Sequence, residues 1–162
     1  VKGRTFETYV RTVLEGGARE AQRSGSATIE AEHLLLAIAA GPENASRELL
    51  RSAGLDHETI RDALRREFEQ SLRTVGVSVT DRSLLSPREA AVRPSRMGRS
   101  AKLVFERGMA AAHGKNDARP EHLLLGVLEL RYGTVPRTLE LAGVDTAALK
   151  ERARRSLSGE SA

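Results

Sequence analysis

The string EHLLL stands at Glu32–Leu36 and again at Glu121–Leu125, 89 positions apart. The same offset relates Ala21 to Ala110, Gly25 to Gly114, Gly54 to Gly143 and Asp56 to Asp145. A constant offset over several landmarks implies a duplicated unit with no insertion inside it. A chain written twice from one unit is expected to fold as two equivalent halves.

Each unit reads as four helices. In TFETYVRTVLEGGAREAQRSG, the residues Phe6, Val10, Val13, Leu14, Ala18 and Ala21 recur at three- and four-residue spacing, the signature of one apolar helical face. Gly16 and Gly17 weaken that helix, which predicts a close neighbour there, and Gly25 terminates it. A second helix, from about Ala31 to Ala39, is apolar on nearly every side and is expected at the centre of its unit. A third runs from about Ala45 to Ala53 and stops at Gly54. Asp56 then caps a fourth that reaches about Leu72. The second unit repeats this order: RSAKLVFERGMAAAHG stopped by Gly114, a helix opened by Pro120 at its first position, PRTLELAG, and a last helix capped by Asp145. The expected class is all-α, with eight helices in two pseudo-symmetric four-helix repeats over residues 1–72 and 95–162. Residues 73–94 form a connector, in which Val75, Val77 and Val79 alternate and SPRE predicts a short helical turn from Pro87.

Composition narrows the function. Aromatic residues make up 3% of the chain and Trp is absent, so the core is built from Leu, Val, Ile and Ala, which suits helices. Without cysteine there is neither a disulfide framework nor thiolate metal chemistry, which fits a reducing, cytoplasmic setting. No apolar run reaches membrane-spanning length, and the start lacks a signal-peptide core. The 26 basic residues are interleaved with 22 acidic ones, a solvated pattern rather than a phosphate-binding stripe, so no nucleic acid is expected as partner. The chain lacks G-x-x-x-x-G-K-[ST] and Gly-rich dinucleotide turns, so it has no cradle for a cofactor's phosphates. It lacks G-x-S-x-G, and no His spacing suits a metal. No catalytic residue, metal site or cofactor is expected, and the chain reads as a non-enzyme.

A helix ending in Gly, a short loop, EH followed by three apolar residues, then LxxAGxD opening a last helix, all written twice, resembles the Clp N-terminal repeat. That double four-helix domain precedes the ATPase rings of ClpC- and ClpA-type unfoldases. The resemblance spans about residues 4–72 and 95–157. It implies a protein-binding module of the Clp system without the motor, serving as adaptor, decoy or sequestering protein toward unfoldase, adaptor or substrate segments. It also implies two ligand sites, since in some ClpC members the Glu of a TEH motif contacts the guanidinium of phosphoarginine. That Glu corresponds to Glu32 and Glu121. The family's Thr in the first helix is replaced by Glu7 and Arg96, and its GT by Glu30-Ala31 and Arg119-Pro120.

The residues themselves allow two readings of Glu32 and Glu121. A carboxylate in the first helical turn is stabilised by the helix dipole by roughly 0.3–1 kcal/mol, which suffices to explain both. As ligand contacts, they would attract a cation where each helix start meets the first helix of its own repeat. Arg11 in the first unit, and Arg96, Arg99 and Lys102 in the second, would then answer a phosphate, with the second site the better one. Two further functions compete: binding of cyclic peptide antibiotics, as in similar actinobacterial domains, and regulation through DNA.

Overall fold

The apolar spacing is realised as α-helices, eight of them among the described residues. The structure, a computed structural model, describes residues 2–78, 80 and 88–159, and of residues 2–4 the backbone alone. In chain order the helices are α1 (Lys2–Arg23), α2 (Ala31–Ala40), α3 (Ala45–Ser52), α4 (His57–Thr74), α5 (Arg99–Ala110), α6 (Pro120–Leu128), α7 (Thr134–Leu141) and α8 (Thr146–Ser158). A 3₁₀ turn, Lys115–Asp117, precedes α6. Among the described residues the only extended pairing is an isolated parallel bridge between Ile29 and Met97. The expected turn at Pro87, and Val79, lie outside the described residues.

The two helices with no polar face lie at the centre. In α2, Leu34 and Leu35 are fully buried and Ile38 nearly so; in α6, Leu123, Leu124 and Val127 are fully buried. Each such leucine contributes roughly 1.5–3 kcal/mol of transfer free energy. Around them, α1 and α5 run alongside α2 and α6 respectively. One continuous apolar cluster joins Val13, Leu50 and Ile60 of the first repeat to Val104, Leu139 and Leu149 of the second.

The helix ends follow local chemistry. Asp56 accepts a hydrogen bond from the Thr59 amide at 2.7 Å, and Asp145 one from the Ala148 amide at 3.0 Å. Gly54 and Gly143 take φ of +76° and +72°, the left-handed region where a side chain is strained, and each closes its helix before the Asp-capped one. The helix pairs between repeats are reciprocal. α4 packs on α7 and α8 on α3, α2 on α7 and α6 on α3, α2 on α5 and α6 on α1, and α2 meets α6. Such exchange of equivalent surfaces is what a pseudo-two-fold axis produces.

The first helices depart from the 89-residue register. Gly17 faces the carbonyl of His33, and Gly108 faces the carbonyl of His122; these glycines are 91 positions apart. Ala21 is fully buried, whereas Ala110 is exposed and Ala112 packs on the core. The span from this glycine to the capping histidine is thus two residues shorter in the second repeat, Gly108 to His122 against Gly17 to His33. α5 ends at Ala110, not at Gly114. The expected tight neighbour of the glycine pair is present: a Cβ on Gly16 would lie 3.1 Å from the Ala37 Cβ. Structurally, then, Glu7 corresponds to Gly98 and not to Arg96.

Candidate functional site

Both EH motifs open a buried helix, and in both the histidine is a capping residue. The Glu30 amide donates to His33 Nδ1 at 2.9 Å, and the Arg119 amide to His122 Nδ1 at 3.0 Å. A nitrogen that accepts carries no proton, so the proton of His33 sits on Nε2, which donates to Ser24 Oγ at 3.0 Å. Ser24 Oγ in turn donates to the Ala21 carbonyl at 3.0 Å. Burial pulls the pKa of both imidazoles down. They are structural, neutral and in a defined tautomer.

The carboxylates next to them have different surroundings. Glu32 is half-buried. Burial raises its pKa against a backbone hydrogen bond that lowers it, and the neighbouring charges of Glu30 and Glu67 add to the rise. Glu121 is buried, and its Oε2 has no hydrogen-bond partner. Neither carboxylate makes an ion pair with a cation among the described residues, whereas buried Glu67 is paired with Arg137 Nε at 2.7 Å and Glu20 with His57 Nε2 at 2.7 Å.

The start of α2 is sewn to the start of α5. The Ile29 amide donates to the Arg96 carbonyl and the Gly98 amide to the Ile29 carbonyl, both at 2.9 Å. The Ala31 amide donates to Ser100 Oγ at 2.8 Å. Glu30 Oε2 accepts from the Ser100 amide at 3.2 Å and from Ser100 Oγ, while Oε1 accepts from Thr28 Oγ1 at 2.8 Å. A carboxylate therefore fills the positive end of α5 from within the chain.

This arrangement redistributes the residues expected at the two sites. Arg96, Arg99 and Lys102, all exposed, belong to the helix start that abuts Glu32, not to the neighbourhood of Glu121. The physical reason is the pseudo-two-fold, which sets the first helix of each repeat across the opening of the second helix in the other. Glu121 accordingly has Tyr9 of α1 as a neighbour, and Arg11 lies exposed on that same helix. Sequence reasoning missed Glu30, Ser100, Tyr9 and Ser46. Only the residue type at position 30, Glu where the resembling family has Gly, gave a signal. Elsewhere, an open groove of about 420 Å³ between α2, α3 and α4 is lined by Ala39, Arg47, Arg51, Leu55, Asp56 and His57 and has no aromatic wall. Among the described residues no three His, Asp or Glu side chains gather as a metal site, and no helix is long and apolar enough to cross a membrane.

Comparison with known proteins agrees with this architecture. A search of the curated proteins gives no match. Among solved structures, the N-terminal domain of the caseinolytic protease associated chaperone ClpD from Arabidopsis thaliana is similar, with a TM-score of 0.64 and 21% identity over 92% of each chain. At that identity the likeness concerns the fold. The family model of the Clp repeat (R) N-terminal domain matches residues 5–93, more than half of the chain, and the chain belongs to that family.

Proposed function

We propose that the chain is a non-catalytic protein-binding module of the Clp system, which receives positively charged segments of adaptors or substrates at the two helix starts marked by Glu32 and Glu121. The observation that carries this reading is that neither half-buried Glu32 nor buried Glu121 forms an ion pair among the described residues, whereas buried Glu67 and Glu20 do. At Glu32 the adjoining charges of Glu30 and Glu67 make a cation the favoured visitor. A guanidinium, planar and always charged, suits such a carboxylate better than an ammonium.

Arginine phosphorylation would change this affinity. Arg96, Arg99 and Lys102 supply positive charge to a phosphate near Glu32, while Glu30 at the α5 start opposes it. Glu121 has Arg11 on the adjoining helix and no acid corresponding to Glu30. Calorimetry with an arginine-bearing peptide, and with its arginine-phosphorylated form, on the parent protein and on Glu32→Ala and Glu121→Ala tests the reading. Binding weakened by each substitution is the expected result, and the phosphorylated form should lose more at Glu32 than at Glu121. A parent protein that binds neither peptide would sink it.

A further inference from the structure

The open groove between α2, α3 and α4 is lined by charges of opposite sign on different helices. Arg47 and Arg51, one turn apart, come from α3, and Asp56 and Glu58 from the start of α4, with buried Ala39 and Leu55 between them. Its volume of about 420 Å³ falls within the range of about 300–1,000 Å³ usual for ligand sites.

Both guanidiniums converge on one carboxylate. Glu43 Oε1, in the loop between α2 and α3, lies 3.1 Å from Arg47 Nη1 and 2.9 Å from Arg51 Nη2. Arg47 is fixed further, because the same Nη1 donates to the Gly41 carbonyl at the end of α2 at 2.9 Å. Arg51 Nη1 donates to Glu48 Oε2 at 2.9 Å. Glu43 is the loose member, its side chain 64% exposed against 31% for Arg47. The hydrogen bond from Arg51, against desolvation and together with the charges of both arginines, holds its carboxyl below the ordinary value. The pair is thus arranged to hold an ionised carboxylate. Exposed ion pairs are weak, so a glutamate on a loop is an occupant that another carboxylate can displace.

The acids of α4 restrict what can enter. Asp56 accepts from the Thr59 amide, His57 is engaged by Glu20 at 2.7 Å, and Glu58 is exposed. A run of acids would be repelled by Asp56 and Glu58, whereas one carboxylate beside a cation complements both signs of charge. The second repeat offers nothing similar. α3 and α7 keep the 89-residue register, which puts Pro136 in the place of Arg47, Glu140 in that of Arg51 and Tyr132 in that of Glu43. We propose that the groove of the first repeat binds a protein segment in which one acidic side chain stands beside a basic one. Arg47 and Arg51 hold the acid, Asp56 and Glu58 receive the base, and Glu43 occupies the arginines in the unliganded chain.

This site lies apart from Glu32 and Glu121, and its test does not depend on them. An NMR titration of the whole chain uses a capped alanine peptide carrying a glutamate followed by a lysine, the same peptide with glutamine for the glutamate, and polyglutamate. The first peptide should bind and shift the amide signals of Arg47, Arg51 and Leu55, and the other two should not. Glu43→Gln should tighten binding by about two- to tenfold, the reach of one or two exposed ion pairs, a gain that misfolding cannot produce. Arg51→Gln should weaken it by about tenfold, while Glu32→Ala and Glu121→Ala leave it unchanged. The proposal is overturned if Glu43→Gln fails to bind the first peptide or binds it no better than the parent does. Equal binding of the glutamine peptide, or tighter binding of polyglutamate, would overturn it as well.

Discussion

Asp145 and His33 illustrate how a single side chain fixes a helix end. Asp145 holds the amide of Ala148, so Asp145→Ala should lower stability by about 1 kcal/mol, and Asp56→Ala should act in the same direction. Urea denaturation checks both, and unchanged midpoints would show that water replaces the caps at no cost. The histidines add a dependence on pH. Burial lowers His33 and His122 below the ordinary imidazole value of 6.5, so the folded chain binds fewer protons than the unfolded one as pH falls through that value. Stability is therefore present at neutral pH and declines on acidification. Glu32 works in the opposite sense: raised above 4.5, it adds stability as pH falls through its folded value towards 4.5. Between about pH 7.5 and 5.5 the imidazoles should dominate, lowering the urea midpoint. His33→Gln/His122→Gln should flatten that slope even as it weakens the caps. A slope equal to the parent's would assign the titration to other groups.

Among the elements, the pair α5–α6 is the most tightly constrained. A Cβ on Gly126 would lie 2.1 Å from the carbonyl oxygen of Val104, and that oxygen belongs to the backbone of a packed helix. Alanine favours a helix interior over glycine by about 1 kcal/mol, yet Gly126→Ala should destabilise the protein because α5 must move away. Thermal denaturation decides, and a raised midpoint would mean that the helices are farther apart. This level also shows what a reader of the sequence can and cannot extract. α2 and α6 were legible because an all-apolar helix has one place to go, and the caps because Gly followed by Asp has one use there. The register of the first helices was not, because Ala21/Ala110 and Gly25/Gly114 match at 89 by coincidence while the buried faces align at 91. Glu32 and Glu121 could be read from their motif. Their neighbours Glu30, Ser100, Tyr9 and Ser46 could not, because the contacts that unite them cross between repeats and leave no periodic trace.

For the whole molecule, polar contacts across the reciprocal helix pairs add to the apolar core that joins the repeats. Arg137 holds buried Glu67 across α4 and α7, and Ser71 Oγ donates to the same oxygen at 2.6 Å. Arg137→Ala should cost on the order of 1–3 kcal/mol by leaving that carboxylate underpaired, whereas Arg65→Ala, which breaks an exposed pair with Asp62, should cost about 0–1 kcal/mol. Equal losses in chemical denaturation would show that Glu67 is solvated after all. The seam of Ile29, Glu30, Met97 and Ser100 has a different consequence. It fastens the repeats through backbone pairing that does not depend on the covalent link between them. The protein can thus be treated as two halves of a latch. Produced as separate polypeptides ending at Ser78 and beginning at Arg88, each half should be largely unfolded alone, with its share of α2 or α6 exposed. Mixed, they should complement one another and restore the helical signal at a one-to-one ratio. The fold would then be a natural split reporter, joined by its own seam, and fragments that stay unfolded on mixing would show that the tether is indispensable.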